Sequence, residues 1–258
     1  MYKLWKRFSA YIIDILIVTL LTQCLAGTTL LNKNLNNYQK YSKEYNELYT
    51  NYIEFTKQLT KYYQDSKLTE KEYNKLVTSY PIYEENLKKY YQNNNLTEKN
   101  YNKLIDEITD KYKEEYPKLY YLVEKNSISE MIIYLVIAIL YFVVFNYFTN
   151  GQTLGKKITG LKIVDQYNNR KRVSMKRYLI RMLPMYQIFY YITRLISIMF
   201  LSQNKYIELT TISYYIQGFL EILILSFILF RHDGRGLHDI LAKTQVMMCD
   251  RSGSEILK

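Results

Sequence analysis

The sequence predicts an all-α polytopic membrane protein: four transmembrane helices, an extracellular helical bundle or coiled-coil insertion, and a small cytoplasmic β element. Three observations predict it. Apolar residues gather in four runs of 18 to 24 residues, each near the ~20 that a helix needs to cross hydrocarbon. Basic residues concentrate in short connections, and one long segment repeats Tyr and Leu at helical spacing. Whole-chain averages hide this division, since a net charge of +11 and a mean hydropathy of −0.25 blend a polar segment with apolar ones. With 8 Gly, 3 Pro and 2 Cys in 258 residues, the chain is no collagen, Pro-rich linker, disulfide-stapled domain or four-Cys zinc protein.

The first run, Phe8 to Leu31, follows Lys3, Lys6 and Arg7. A basic start before an apolar run also describes a signal peptide. However, Asp14 interrupts the run, and Gln23 stands before Cys24 where a lipoprotein cleavage site takes a small residue, so the segment reads as a retained span. Cys24 then falls in the outer half of the span and Cys249 in the cytoplasmic tail, too far apart to pair, and both read as inert.

Residues 32–129 hold 16 Lys and 15 acids but no Arg and no Gly. Tyr38, Tyr41, Tyr45, Leu48, Tyr52, Phe55, Leu59 and Tyr62 recur at spacings of three and four, and Tyr101, Leu104, Ile108, Tyr112 and Leu119 make a second stripe. Each set falls on one helical face, as in a coiled-coil or bundle seam. LTEKEYNKL at 68–76 returns as LTEKNYNKL at 96–104, and Thr69 with Glu72 has capping-box spacing, so each copy is expected to open a helix. Pro81 and Pro117 are expected to break or kink helices. The expected object is a Tyr-lined projection of three or four helices, either a solvated spacer or a surface for an extracellular protein or glycan.

After the second run, Met131 to Phe148, residues 149–182 carry Lys156, Lys157, Lys162, Arg170, Lys171, Arg172, Lys176, Arg177 and Arg181 against one acid, Asp165. This asymmetry marks the cytoplasmic side and puts both termini there. The cluster is expected to face anionic lipid headgroups rather than nucleic acid, because it lies between two spans. Gly151, Gly155 and Gly160 do not have the spacing of a nucleotide-binding loop. Ile158 to Val164 reads as a strand and Lys243 to Met248 as one able to pair with it. Ser174 reads as the N-cap of a basic amphipathic helix running toward Pro184.

The third run, Leu183 to Leu201, contains Arg194, and the fourth, Leu209 to Phe230, contains Glu221. With Asp14 these are the ionisable groups inside apolar runs, where an unpaired charge is costly. At 1.5 Å per residue, Arg194 and Glu221 lie roughly 15 Å from the cytoplasmic ends of their runs, which makes them expected partners. Asp14 is shallower, within reach of Arg7 or Arg181. Two readings stand: buried pairs that fix helix register, or an Asp14 or Glu221 that binds and releases a proton or cation. A four-span carrier is expected to form a homo-oligomer, with Gln23, Gln187 and Gln217 as intramembrane hydrogen-bonding groups. His238 and Asp239, adjacent in sequence, are expected to point about 100° apart and to join the tail to the inner loop rather than act as a catalytic pair. No nucleophile or ligand constellation suggests an enzyme, a metal or a cofactor.

Three segments, Arg7-Phe-Ser-Ala-Tyr-Ile-Ile-Asp14, Asn150-Gly-Gln-Thr-Leu-Gly-Lys-Lys-Ile-Thr-Gly-Leu-Lys-Ile-Val-Asp165 and Gly236-Leu-His-Asp-Ile-Leu-Ala-Lys-Thr-Gln-Val246, resemble the RDD family of bacterial membrane proteins, named for one Arg and two Asp. The resemblance covers residues 1–31 and 130–250, leaving 32–129 as an insertion and 251–258 as a tail. It implies Gly151, Gln152, Gly155, Gly160 and Asp165 as an inner-loop motif, and Asp239 or Asp165 as the second Asp. It further implies a multi-pass protein of the cytoplasmic membrane that transports a small ion or solute, cation/proton exchange included. The alternative is a non-transporting scaffold whose outer bundle binds a partner.

Overall fold

The computed structural model describes residues 2–65, 69–93, 96–168 and 171–249, so Arg170 and the 251–258 tail lie outside the described residues. The chain divides into two compact units: residues 36–126, and residues 1–35 together with 127–258. In chain order the elements are α1 (Tyr2–Ala26), α2 (Leu35–Asp65), α3 (Glu70–Ser79), α4 (Glu84–Asn93), α5 (Glu98–Asn126) and α6 (Ile128–Ile139). α6 continues through a π-helical stretch, Leu140–Phe145, into α7 (Asn146–Phe148). There follow α8 (Leu154–Thr159), β1 (Leu161–Asp165), α9 (Met175–Met182), α10 (Ile188–Phe200), α11 (Gln203–Phe230), α12 (Leu237–Leu241) and β2 (Thr244–Met248).

In the 36–126 unit, the apolar positions of the two predicted stripes meet: Phe55 and Leu59 of α2 pack with Leu76, Leu87, Leu104 and Ile108. Tyr52 stacks on Tyr112 with centroids 4.2 Å apart, and Tyr63 on Tyr101 at 4.5 Å. The stripes are therefore a helical-bundle seam in which tyrosine rings take much of the aliphatic role. The capping box forms at the head of α3, with Glu72 N donating to Thr69 Oγ1 at 3.3 Å and Thr69 N to Glu72 Oε2 at 3.0 Å. The second copy keeps half of it, Asn100 N to Thr97 Oγ1 at 3.4 Å, because Asn replaces the Glu. Pro81 opens the 3₁₀ turn between α3 and α4, as expected of a breaker. Pro117 does not end its helix: α5 runs through it for 29 residues.

In the other unit, the runs Leu4–Ala26, Ile128–Phe148 and Gln203–Phe230 are 23, 21 and 28 residues, long and apolar enough to cross a membrane. Leu16, Leu20, Val136, Leu140, Phe219 and Ile222 stand exposed along them. Apolar faces of this extent need a solvent other than water, and the protein is a membrane protein. The third predicted run is not one helix. Pro184 follows α9, and Tyr186 and Gln187 hold φ of 55° and 57°, so α10 begins only at Ile188 and has 13 residues, about 20 Å. The internal core is Ala10, Val18, Ala138, Phe142, Tyr178 and Tyr186, where the Phe142 and Tyr186 rings stack at 3.6 Å.

β1 and β2 pair antiparallel with Ile163 opposite Val246 and Asp165 opposite Thr244. The predicted strand start is corrected: Ile158 and Thr159 finish α8, and Gly160 in the left-handed region ends that helix and turns the chain into β1.

Candidate functional site

Two buried carboxylates organise this unit. Asp14 is 0 % exposed on α1, and α8 brings its N-terminus to it. Thr153 Oγ1 donates to Oδ2 at 2.6 Å, the Gly155 N–H to Oδ1 at 2.8 Å, and Lys156 Nζ to Oδ2 at 3.2 Å. Tyr141, held in the π-helical stretch of the second span, adds its hydroxyl to Oδ1 at 2.7 Å. Four donors, one of them the Lys156 side chain, hold the carboxylate at the N-terminus of α8. The approach requires glycine at 155, since a Cβ there would lie 2.4 Å from the Ala10 carbonyl oxygen and 2.7 Å from Asp14 Oδ1. Gly151 serves the same segment: at φ 93° it lets its carbonyl receive the Ile163 N–H at 2.9 Å, and a Cβ would strike the Ile163 oxygen at 2.1 Å. Gln152 donates to the Leu161 carbonyl at 3.2 Å and to Cys249 Sγ at 3.1 Å, tying the loop to both strands.

The second carboxylate, Asp239 on α12, is also 0 % exposed. Arg181 Nη1 donates to its Oδ1, and the Thr244 hydroxyl reaches the same oxygen at 3.2 Å. Arg7 Nη2 stands 3.9 Å from Oδ2, while Arg7 Nη1 donates to the Gly234 carbonyl. His238 Nε2 lies 3.3 Å from Oδ2. The two side chains thus meet although they are neighbours in sequence, because α12 is a single short turn that leaves both facing inward. Burial, then the charges of Arg181, Arg7 and Lys156, hold the His238 imidazole well below its ordinary pKa, so it is neutral at pH 7. Burial likewise lowers Lys156, against the pull of Asp14, and lowers Arg181 to about 10.

The partner of Asp14 is therefore Lys156, not the expected Arg7 or Arg181, both of which turn to Asp239. Of the basic set expected at lipid headgroups, Lys156 and Arg181 are buried and paired with carboxylates rather than on the outer surface. Arg177 pairs with Asp165. Burial acts to raise Asp165, but hydrogen bonds from the Tyr167 and Asn168 backbone and from Arg177 outweigh it and hold the carboxyl below its usual range. Arg172 lies over the Tyr147 ring at 3.8 Å and donates to its carbonyl. Lys157, Lys171 and Lys176 remain exposed, as a headgroup contact requires.

Arg194 and Glu221 are at different levels. The two-residue connection of α10 to α11 makes a hairpin, and Gln217 Nε2 meets the Pro184 carbonyl at 3.4 Å, which sets its register. Arg194 is six residues short of the end of α10 at Phe200 and Glu221 eighteen past the start of α11 at Gln203, so the two are separated by roughly 18 Å along the axis. Arg194 lies over the Tyr190 and Tyr191 rings at 5.2 and 5.4 Å, and Glu221 accepts from Gln217 at 2.9 Å.

Glu221 instead lines a cavity of about 540 Å³ between α1, α9, α11 and α12. Arg7, Lys156, Arg181 and His238 line it together with the apolar Phe8, Tyr11, Ile224 and Leu225. No sequence signal marked the cavity, because its lining comes from five separated segments.

A family model described as RDD family matches residues 126–243, which carry the Asp14-binding loop, β1, α9 and Asp239. No curated protein and no solved structure matches the chain.

Proposed function

We propose that this chain, which a model of the RDD family matches over residues 126–243, transports a small ion or solute across the cytoplasmic membrane, with Glu221 as the carboxylate that exchanges it. One observation carries the reading: Glu221 is a half-buried acid on a membrane-crossing helix and faces a cavity, where intramembrane carboxylates serve proton and ion pathways. Asp14 and Asp239 are the structural members of the set. Each is held by donors from other segments, Asp14 by four of them and Asp239 by Arg181 and Thr244, and so ties those segments together.

Parity supports four crossings. β1 and β2 are paired, so the chain between them must leave and return to one side; α11 makes one passage, and Pro184 to Phe200 must make the other. Its first residues are irregular, which is tolerated in a bilayer where protein covers the backbone; Pro184, Tyr186 and Ile188 are buried. The basic residues of 149–182 support a cytoplasmic position for that side and both termini, with residues 32–129 outside.

The test is pH-gradient-driven cation flux in proteoliposomes. Glu221→Gln is expected to cut flux at least tenfold with the fold retained. Equal flux in the two would remove Glu221 from the mechanism, and no flux from folded wild-type protein would sink transport itself. A second reading, a scaffold that presents a partner surface, draws on the separate core of residues 36–126. Deleting 36–124 with flux intact would assign that unit a role apart from transport.

A further inference from the structure

We propose that the cavity seats the headgroup of an anionic phospholipid, entering sideways from the bilayer between α1 and α11. The inference concerns an occupant of the cavity and does not depend on transport through it.

The wall is of two kinds. Trp5, Phe8, Leu225 and Leu229 line it and are 62, 52, 52 and 49 % exposed on helices that cross the membrane. The mouth they frame opens onto hydrocarbon, so the occupant is recruited from the bilayer. Among the charged groups of the lining, Arg7, Lys156 and Arg181 outnumber Glu221, whereas Asp14 and Asp239, which pair with those cations, are not on the lining.

Among the described residues, Arg7 Nε and Nη2 are buried without a hydrogen-bond partner. These two nitrogens form the guanidinium edge that donates two parallel hydrogen bonds to a phosphate or carboxylate. Arg7 Nη1 is already committed to the Gly234 carbonyl and Nη2 stands 3.9 Å from Asp239 Oδ2, so this edge is held in place rather than adrift. His238 Nδ1 is also buried and unpartnered. With Nε2 facing Asp239 at 3.3 Å, the proton belongs on Nε2, and Nδ1 is left as an acceptor. A phosphodiester satisfies the arginine edge, and a headgroup hydroxyl, as in glycerol, satisfies Nδ1. The volume is within the ~300–1,000 Å³ of small-ligand sites. A free phosphate would leave the apolar wall bare, which is why a lipid is the occupant.

Trp5 is the sole tryptophan and stands at the mouth, so it reports occupancy. Detergent-purified full-length protein is titrated with phosphatidylglycerol or phosphatidylcholine carrying brominated chains, and Trp5 fluorescence is followed. Phosphatidylglycerol is expected to quench saturably with an apparent Kd at least fivefold below that of phosphatidylcholine. Unbrominated phosphatidylglycerol should reverse the quenching, and inorganic phosphate should not. Arg7→Gln should erase the preference, and Ile224→Phe, which fills the cavity without touching its charges, should remove the saturable phase. Equal quenching by both lipids overturns the proposal, as does reversal by inorganic phosphate or an unchanged response in Ile224→Phe. Because the readout is binding, a transport-dead but lipid-binding protein separates this inference from the proposed function.

Discussion

Gly155→Ala places one methyl group between α8 and α1. The new Cβ would sit 2.4 Å from the Ala10 carbonyl oxygen and 2.7 Å from Asp14 Oδ1. Neither can yield locally, since one is helix backbone and the other is a carboxylate held by four donors. Relief needs α8 to retreat by about 1 Å, the gap between 2.4 Å and ordinary contact at 3.4 Å. That lengthens the 2.8 Å Gly155 N–H to Asp14 bond beyond hydrogen-bonding range. Losing one charge-assisted bond costs about 1.5–3 kcal/mol, and residual overpacking about 1–3 kcal/mol. A total near 3–5 kcal/mol corresponds to a Tm lowered by roughly 6–15 °C in a chain of this size. The assay is thiol-dye thermal unfolding in a Cys24→Ser background, where buried Cys249 becomes reactive as the sheet opens. Gly218→Ala is the matched control, with nothing within 4 Å of its Cβ, and should leave Tm unchanged or raise it. A Gly155→Ala Tm within 2 °C of wild type would refute the close-approach reasoning.

Lys156→Met should destabilise by about 3–5 kcal/mol by stranding the buried Asp14, and Asp14→Asn added to it should recover part of the loss, measured as a double-mutant cycle on Tm. Arg181→Ala at buried Asp239 should cost several times more than Arg177→Ala, whose side chain is 29 % exposed, by the same assay. His238, faced by Asp239, Arg181, Arg7 and Lys156, has a folded pKa depressed below the ordinary 6.5. The unfolded chain binds the proton more readily, so stability is full above pH 6.5 and falls as pH drops below it, by up to about 1.4 kcal/mol per pH unit. His238→Gln should flatten that slope between pH 6.5 and 5. Residues 36–126 expressed alone should give a helical circular-dichroism spectrum that melts cooperatively, since Phe55, Leu59, Leu104 and Ile108 find their partners within that segment.

Local features were readable in order: the capping box at Thr69, the pairing of the two strands, and the Tyr stripes follow from spacings that short-range sterics impose. Ionic partners were not. Arg7, Arg181 and Lys156 are equivalent by charge and approximate depth, and only the turn of α8 over α1, set by Gly155, decides that Lys156 takes Asp14. The third run failed for a different reason. Hydropathy is continuous from Leu183 to Leu201 and is blind to backbone dihedrals, whereas Pro184 and the left-handed Tyr186 and Gln187 cut the helix. Once α10 starts at Ile188, the assumed depth match of Arg194 with Glu221 disappears. Pro117 errs the other way, tolerated inside a long bundle helix despite the missing hydrogen bond.

The Arg7 clamp also has a schedule. Its carbonyl acceptor, Gly234, lies 227 residues later in the chain. At 5–20 residues per second of synthesis, the first helix waits roughly 10–50 s with that guanidinium still lacking its acceptor. During that interval the earlier apolar helices enter the bilayer, and α1 stays free to slide or tilt. Assembly of this unit thus waits for the segment around residue 234, so truncation just before it should leave all three apolar helices inserted and the unclamped end of α1 open to a folding-quality protease.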